Sequence, residues 1–222
     1  HENRDINQGP NGEVSVTINN NYRVVKTNSE GVRLAEWSSE GESSGIAVSP
    51  EGEVFVNINQ NYRDLEYKTN GEISVNINQN YRVVKYSSEG AELGEWPIED
   101  PSSGIATNSE GEVFSVNNML RVVKSSTVGD RLADWSVVAG VIETNGIVIN
   151  PEGEVFVSVN NNHRVAKYNP QGELLMEWGG EGDLPGEFRS PVGIALDPDG
   201  LVYVADQGNR RVQVFDGTHF GT

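Results

Sequence analysis

Gly193-Ile194-Ala195-Leu196-Asp197-Pro198-Asp199-Gly200 leads into Val202-Tyr203-Val204-Ala205-Asp206 and, past Gly208-Asn209-Arg210, into Arg211-Val212-Gln213-Val214-Phe215. The stretch reads as three short β-strands. Its apolar runs are too short for helices, and Pro198, Gly200, Gly208 and Asn209 supply turn geometry between them. Small residues in the first run suit a strand crowded by neighbouring backbones.

The same pattern recurs outward along the chain. A glycine followed by a β-rich run stands at Gly12, Gly52, Gly71, Gly111, Gly153 and Gly200, at intervals of 40, 19, 40, 42 and 47 residues. Fixed periods of this length mark a repeat architecture. A full unit adds a fourth strand ending in tryptophan, and all four tryptophans (Trp37, Trp96, Trp135, Trp178) sit at that position. Four-stranded units repeated at about 40 residues, with no helical periodicity, describe an all-β propeller. The six copies approximate 5–44, 45–64, 65–103, 104–145, 146–192 and 193–222, in one domain spanning 1–222. The 19-residue interval removes a fourth strand and the next first strand. The ring is therefore five-bladed, with residues 47–96 merged into one oversized blade, or six-bladed with one blade crippled.

The C-terminal copy, together with Leu184-Pro185-Gly186-Glu187-Phe188, resembles the NHL-repeat family nearly residue for residue. The likeness extends along the chain and weakens toward the N-terminus, where Asn-Ile-Asn replaces the Ala205-Asp206 pattern. It implies four-stranded NHL-like blades and, by analogy, an interaction, binding or assembly module. The competing class is a propeller enzyme, a lyase or metal-dependent hydrolase with an axial site.

Repeat positions carry charge patterns. Lys26/Glu36, Lys85/Glu95, Lys124/Asp134 and Lys167/Glu177 are each ten residues apart around a turn glycine, which sets them opposite each other across a hairpin. An arginine opens every third strand (Arg23, Arg63, Arg82, Arg121, Arg164, Arg211) and reads as a tether from blade to blade.

Composition narrows the function. The formal net charge is −17, and ten of the 16 Lys and Arg residues occupy fixed repeat positions. Too few remain for a phosphate-binding face, so neither nucleic acid nor an anionic membrane is an expected partner. No apolar stretch is long enough to span a bilayer as a helix. Cysteine is absent. The three histidines (His1, His163, His219) have no metal-ligand spacing. Gly41-Glu42-Ser43-Ser44-Gly45 fits a nucleophile elbow but lacks the helix that motif requires. Asp197–Gly200 reads as a turn rather than a calcium loop. A non-enzymatic chain without a resident cofactor is expected, in an extracellular or periplasmic setting.

The candidate ligand-binding residues are the amides expected in the turns between second and third strands: Asn19, Asn20, Asn59, Gln60, Asn78, Gln79, Asn117, Asn160 and Asn161. Converging amides suit sugar hydroxyls, and the acids on the links between blades suit calcium or a basic protein. Protein or glycan partners are expected. The third strand of the last unit, around Arg211–Asp216, would offer an unpaired edge for association, either with itself or with a segment lost from this chain.

Overall fold

The computed structural model describes residues 6–9, 12–18, 22–39, 41, 43–67, 73–117, 119–137 and 144–216. Among the described residues, nineteen strands hold more than half of the chain, and the only helical turns are two three-residue 3-10 segments. The strands form five antiparallel meanders. The first comprises β1 (Ile6–Gln8), β2 (Val14–Ile18), β3 (Arg23–Thr27) and β4 (Arg33–Ser38). The second comprises β5 (Ser43–Val48), β6 (Val54–Tyr67), β7 (Ile73–Tyr86) and β8 (Glu92–Pro97). In the third are β9 (Ser102–Thr107), β10 (Val113–Asn117), β11 (Arg121–Ser125) and β12 (Arg131–Ser136). The fourth holds β13 (Thr144–Ile149), β14 (Val155–Val159), β15 (Arg164–Tyr168) and β16 (Leu174–Gly179). The fifth has three strands: β17 (Pro191–Leu196), β18 (Val202–Asp206) and β19 (Arg211–Phe215).

The first strands face one central cavity, and the sheets radiate from it as propeller blades. Crowding at the axis explains the small residues there. A Cβ added at Gly146 would lie 3.0 Å from the Val192 carbonyl oxygen of the next blade. Second strands are packed on both faces, so Val113–Asn117 and Val155–Val159 are buried at every position. That accounts for their continuous apolar runs where a half-exposed sheet would show alternation. Four hydrophobic cores join successive blades. Phe55, Val83 and Trp96 of the second, for example, pack with Ile105 and Val113 of the third.

The second blade settles the blade number at five. Its β6 and β7 are 14 residues long and pair without interruption from Val54↔Tyr86 to Tyr67↔Ile73. The amide turns expected at residues 59–61 and 78–80 do not form. With no fourth and first strand between them, the two partial copies fold onto each other. The hexapeptide Ile58-Asn59-Gln60-Asn61-Tyr62-Arg63 pairs with its duplicate Ile77-Asn78-Gln79-Asn80-Tyr81-Arg82.

The expected lysine–acid pairs are corrected by the register. Lys26 stands opposite Ala35, Lys85 opposite Gly94, Lys124 opposite Ala133 and Lys167 opposite Met176. A bulge directly after each lysine absorbs one residue of the hairpin, so lysine and acid emerge on opposite faces. The lysines turn instead to the acid that opens the second strand. Lys85–Glu53, Lys124–Glu112 and Lys167–Glu154 close at 2.8, 2.6 and 2.7 Å, and Lys26–Glu13 stands at 3.6 Å. Three of these ammonium groups also lie 5.3–5.7 Å from a phenylalanine ring centroid. The fifth blade has Val214 where the lysine would be and Leu201 where its acid would be.

Candidate functional site

Three surfaces are shaped by the blades: the axial cavity, the rim of turns, and the outer edge of the fifth blade. The axial cavity measures about 850 Å³ and is lined by the first strands of all five blades. Its walls are glycine, aliphatic side chains and a few small polar groups, with Asp197 the one ionisable residue among the described lining. Asp197 is committed to its own turn. Its carboxylate accepts the amides of Asp199 and Leu201 at 3.0 and 2.9 Å, and the Tyr203 hydroxyl donates to it at 3.0 Å. Among the described residues no three His, Asp or Glu side chains gather where they could hold a metal ion.

Asn59, Gln60, Asn78 and Gln79 lie in the double-length hairpin of the second blade. Asn117 ends β10, and its side-chain oxygen accepts the amides of Met119 and Arg121 at 3.1 and 2.9 Å. Its amide nitrogen donates to Asp100 at 3.1 Å, so this residue is occupied with capping its turn. Asn160 and Asn161 belong to a 3-10 turn that ends at His163, whose φ is 54°. Asn19 and Asn20 lie outside the described residues.

Among the described residues, the recurring arginine finds an acid partner within its own blade in each of the first four blades. Arg23, Arg82, Arg121 and Arg164 each pair with the fourth-strand acid of their own blade, Glu36, Glu95, Asp134 and Glu177. The bulge that turns the lysines away brings these acids to the arginine side. Arg63 falls on a side chain outside the described set. Arg211 reaches the link between blades, donating to the carbonyls of Asp183, Leu184 and Glu187 at 2.7, 2.8 and 2.8 Å.

Arg211 also donates to Asp206 at 2.8 Å. Asp206 is fully buried and accepts further bonds from the Arg189 amide (2.7 Å), Asn209 (2.9 Å) and Gln213 (3.2 Å). Burial opposes its charge, but the Arg189 amide, Asn209 and Arg211 together hold the carboxyl below its ordinary value. The sequence reading passed over Asp206. Its signal was an acid at a position held by Ile58 and Val159 in other blades.

The edge is where the fifth blade departs furthest from the rest. Val24, Val83, Val122 and Val165 are at most 1% exposed, each opposite the tryptophan of its fourth strand. Val212 occupies the same position on β19, and it is 62% exposed. Each tryptophan also lands on the next blade. A Cβ added at Gly90, Gly129 or Gly172 would lie 2.6, 2.5 or 2.5 Å from Trp37, Trp96 or Trp135 respectively. Gly31 of the first blade is the matching position for the fifth, and no described atom stands within 4 Å of it. Among the described residues, nothing fills the outer strand position or the tryptophan position at this seam.

Residues 188–215 match the NHL repeat family model. NHL repeat-containing protein 3 of Homo sapiens is 33% identical over 73 residues, covering 32% of this chain and 21% of that protein. The chain thus spans about a fifth of the length of the curated relatives it matches first. Among solved structures, streptogramin B lyase superposes with a TM-score of 0.67 at 16% identity, over 97% of this chain and 68% of that one. The β-propeller domain of Cps50 (Swd1) from Myceliophteria thermophila gives 0.65 at 11% identity, over 95% and 63%. At such identities the superpositions establish the fold alone.

Proposed function

We propose, from the premise that this chain is an NHL-repeat β-propeller, that it is a non-enzymatic interaction module that takes up a β-strand of a protein partner at the edge of its fifth blade. The observation that carries this reading is the 62% exposure of Val212, where the four equivalent valines are buried under tryptophan. An exposed strand edge offers main-chain hydrogen bonds to an incoming strand, and the side-chain slots alongside it supply specificity. The intact blades specify the incoming sequence, since their fourth strands share Leu-x-x-acid-Trp or Leu-x-acid-Trp endings. Tryptophan matters most and the acid least, because Arg211 is already engaged by Asp206 and three carbonyls.

The axial lining supports a binding role over catalysis. Its one described carboxylate is bound by its own turn, and a general acid or base needs a free titratable group within reach of substrate. The likeness to streptogramin B lyase is one of fold.

The test is a synthetic peptide with the β16 sequence, Leu174–Gly179, offered to the purified chain and followed by calorimetry and sedimentation velocity. Uptake that is lost when the peptide tryptophan becomes alanine supports the reading. Absence of peptide uptake, with a clean monomer at high concentration, refutes it.

A further inference from the structure

The core between the second and third blades differs from its neighbours. Elsewhere each fourth-strand tryptophan packs on an aromatic ring that ends the next blade's third strand. Trp37–Tyr86, Trp135–Tyr168 and Trp178–Phe215 have ring centroids 5.8, 6.1 and 5.9 Å apart. Trp96 meets Ser125 at that position. On the same face of the third blade, Ser115 stands where the second, fourth and fifth blades have Val56, Val157 and Val204. A cavity of about 310 Å³ results, lined by Trp96, Ser115, Asn117, Arg121, Ser125 and Gly129 among others.

The chemistry of the lining points to an occupant. Ser115 and Ser125 are each only 6% exposed, and neither hydroxyl has a hydrogen-bond partner among the described residues. A hydroxyl that lines a cavity can both donate to and accept from an occupant. Asn117 is taken up by its turn, and the cations at the rim are neutralised: Arg121 by Asp134, Arg131 by Glu99 and Asp134 at 3.1 Å each. These pairs leave no unneutralised cation among the described lining to select an anionic ligand. What is missing is one aromatic ring beside Trp96 and one polar group between two serines. The volume lies at the lower end for small-molecule pockets, roughly 300–1,000 Å³, and an apolar cavity of about 150 Å³ already admits benzene.

We propose that this cavity binds a small neutral phenol, its ring seated where Tyr86 and Tyr168 sit in other blades and its hydroxyl bonded to Ser115 and Ser125. The site is independent of the strand edge on the fifth blade.

p-Cresol is the probe, titrated by calorimetry and by saturation-transfer NMR against cyclohexanol as a non-aromatic control of similar polarity. Wild-type protein binds p-cresol in preference to cyclohexanol. S125Y supplies the missing ring from the chain, so it raises the melting temperature and abolishes p-cresol binding. S115V removes one hydroxyl and narrows the cavity, and weakens binding without unfolding the blade. The proposal is overturned if wild type takes up no p-cresol, or if a folded S125Y binds it as wild type does. Should S125Y fail to fold, unchanged binding by S115V overturns it equally.

Discussion

Val122 stands directly across the ladder from Trp135, and the indole beyond it closes on Gly172 of the next blade. One tryptophan therefore seals its own third strand and docks the adjoining blade. Trp135→Ala removes a side chain that is 8% exposed and is expected to cost about 3–5 kcal/mol. Val212→Ala removes the same type of side chain as Val122→Ala, yet from an exposed edge, and should change stability by less than about 0.5 kcal/mol. Urea denaturation of the variants checks both. A large loss at Val212 would mean that its edge is covered in solution.

The revised charge pairing makes a sharper prediction. Lys124 contacts Glu112 at 2.6 Å in a setting where both side chains are less than a fifth exposed, and it lies on the opposite face from Asp134. A double-mutant cycle on Lys124 and Glu112 should show a coupling of about 1 kcal/mol, the range for contacting residues. The cycle on Lys124 and Asp134 should return nothing beyond about 0.3 kcal/mol. Equal couplings would restore the pairing expected from sequence spacing.

Much of the fold could be read from the chain, because propeller geometry writes itself into repeats. The tryptophan position, the small first strands and the turn glycines each follow from one local steric demand met in every blade. The lysine partners could not be read. Spacing around Gly129 gives the length of the hairpin, but a single bulged residue after Lys124 moves its side chain to the other face. The blade number depended on whether residues 59–61 turn or extend, and asparagine there permits both. Of the candidate rim, Asn117 bonds its own turn and the Asp100 carboxylate. The serines at 115 and 125 were legible only as departures from the repeat, a comparison that needs the sheet faces to be known.

Asp206 gives the acid limb of stability. Its folded pKa is depressed below the ordinary 3.8, so its contribution is complete above that value and is lost as pH falls through the lower folded value. Asp206→Asn should cost about 2 kcal/mol, in line with hydrogen bonds to a charged group, and remove that part of the acid-limb loss. Hydrogen exchange should accelerate at Leu184–Phe188, where Arg211 then loses its anionic anchor. Unchanged exchange there would show that the carbonyl bonds suffice.

Residues 60–80 lie in the sequence between the paired Asn59 and Tyr81, past the five-residue length that second and third strands reach in the third and fourth blades. Replacing them by Asn-Gly should close β6 onto β7 with a two-residue turn at the Asn59↔Tyr81 pair. Thermal melting by circular dichroism should shift by no more than about 4 °C, the equivalent of roughly 1 kcal/mol in a chain of this size. A collapse of the transition would mean that the long hairpin braces the ring.

The self-pairing of residues 58–63 with 77–82 bears on how such rings change over evolutionary time. Removing a whole unit takes about 40 residues, whereas here about half that length is gone and no blade interface went with it. The two remnants share one sequence, and an antiparallel duplex of identical segments is its own complement. A half-length copy is thus held as added strand length within one blade, with no extra sheet in the ring.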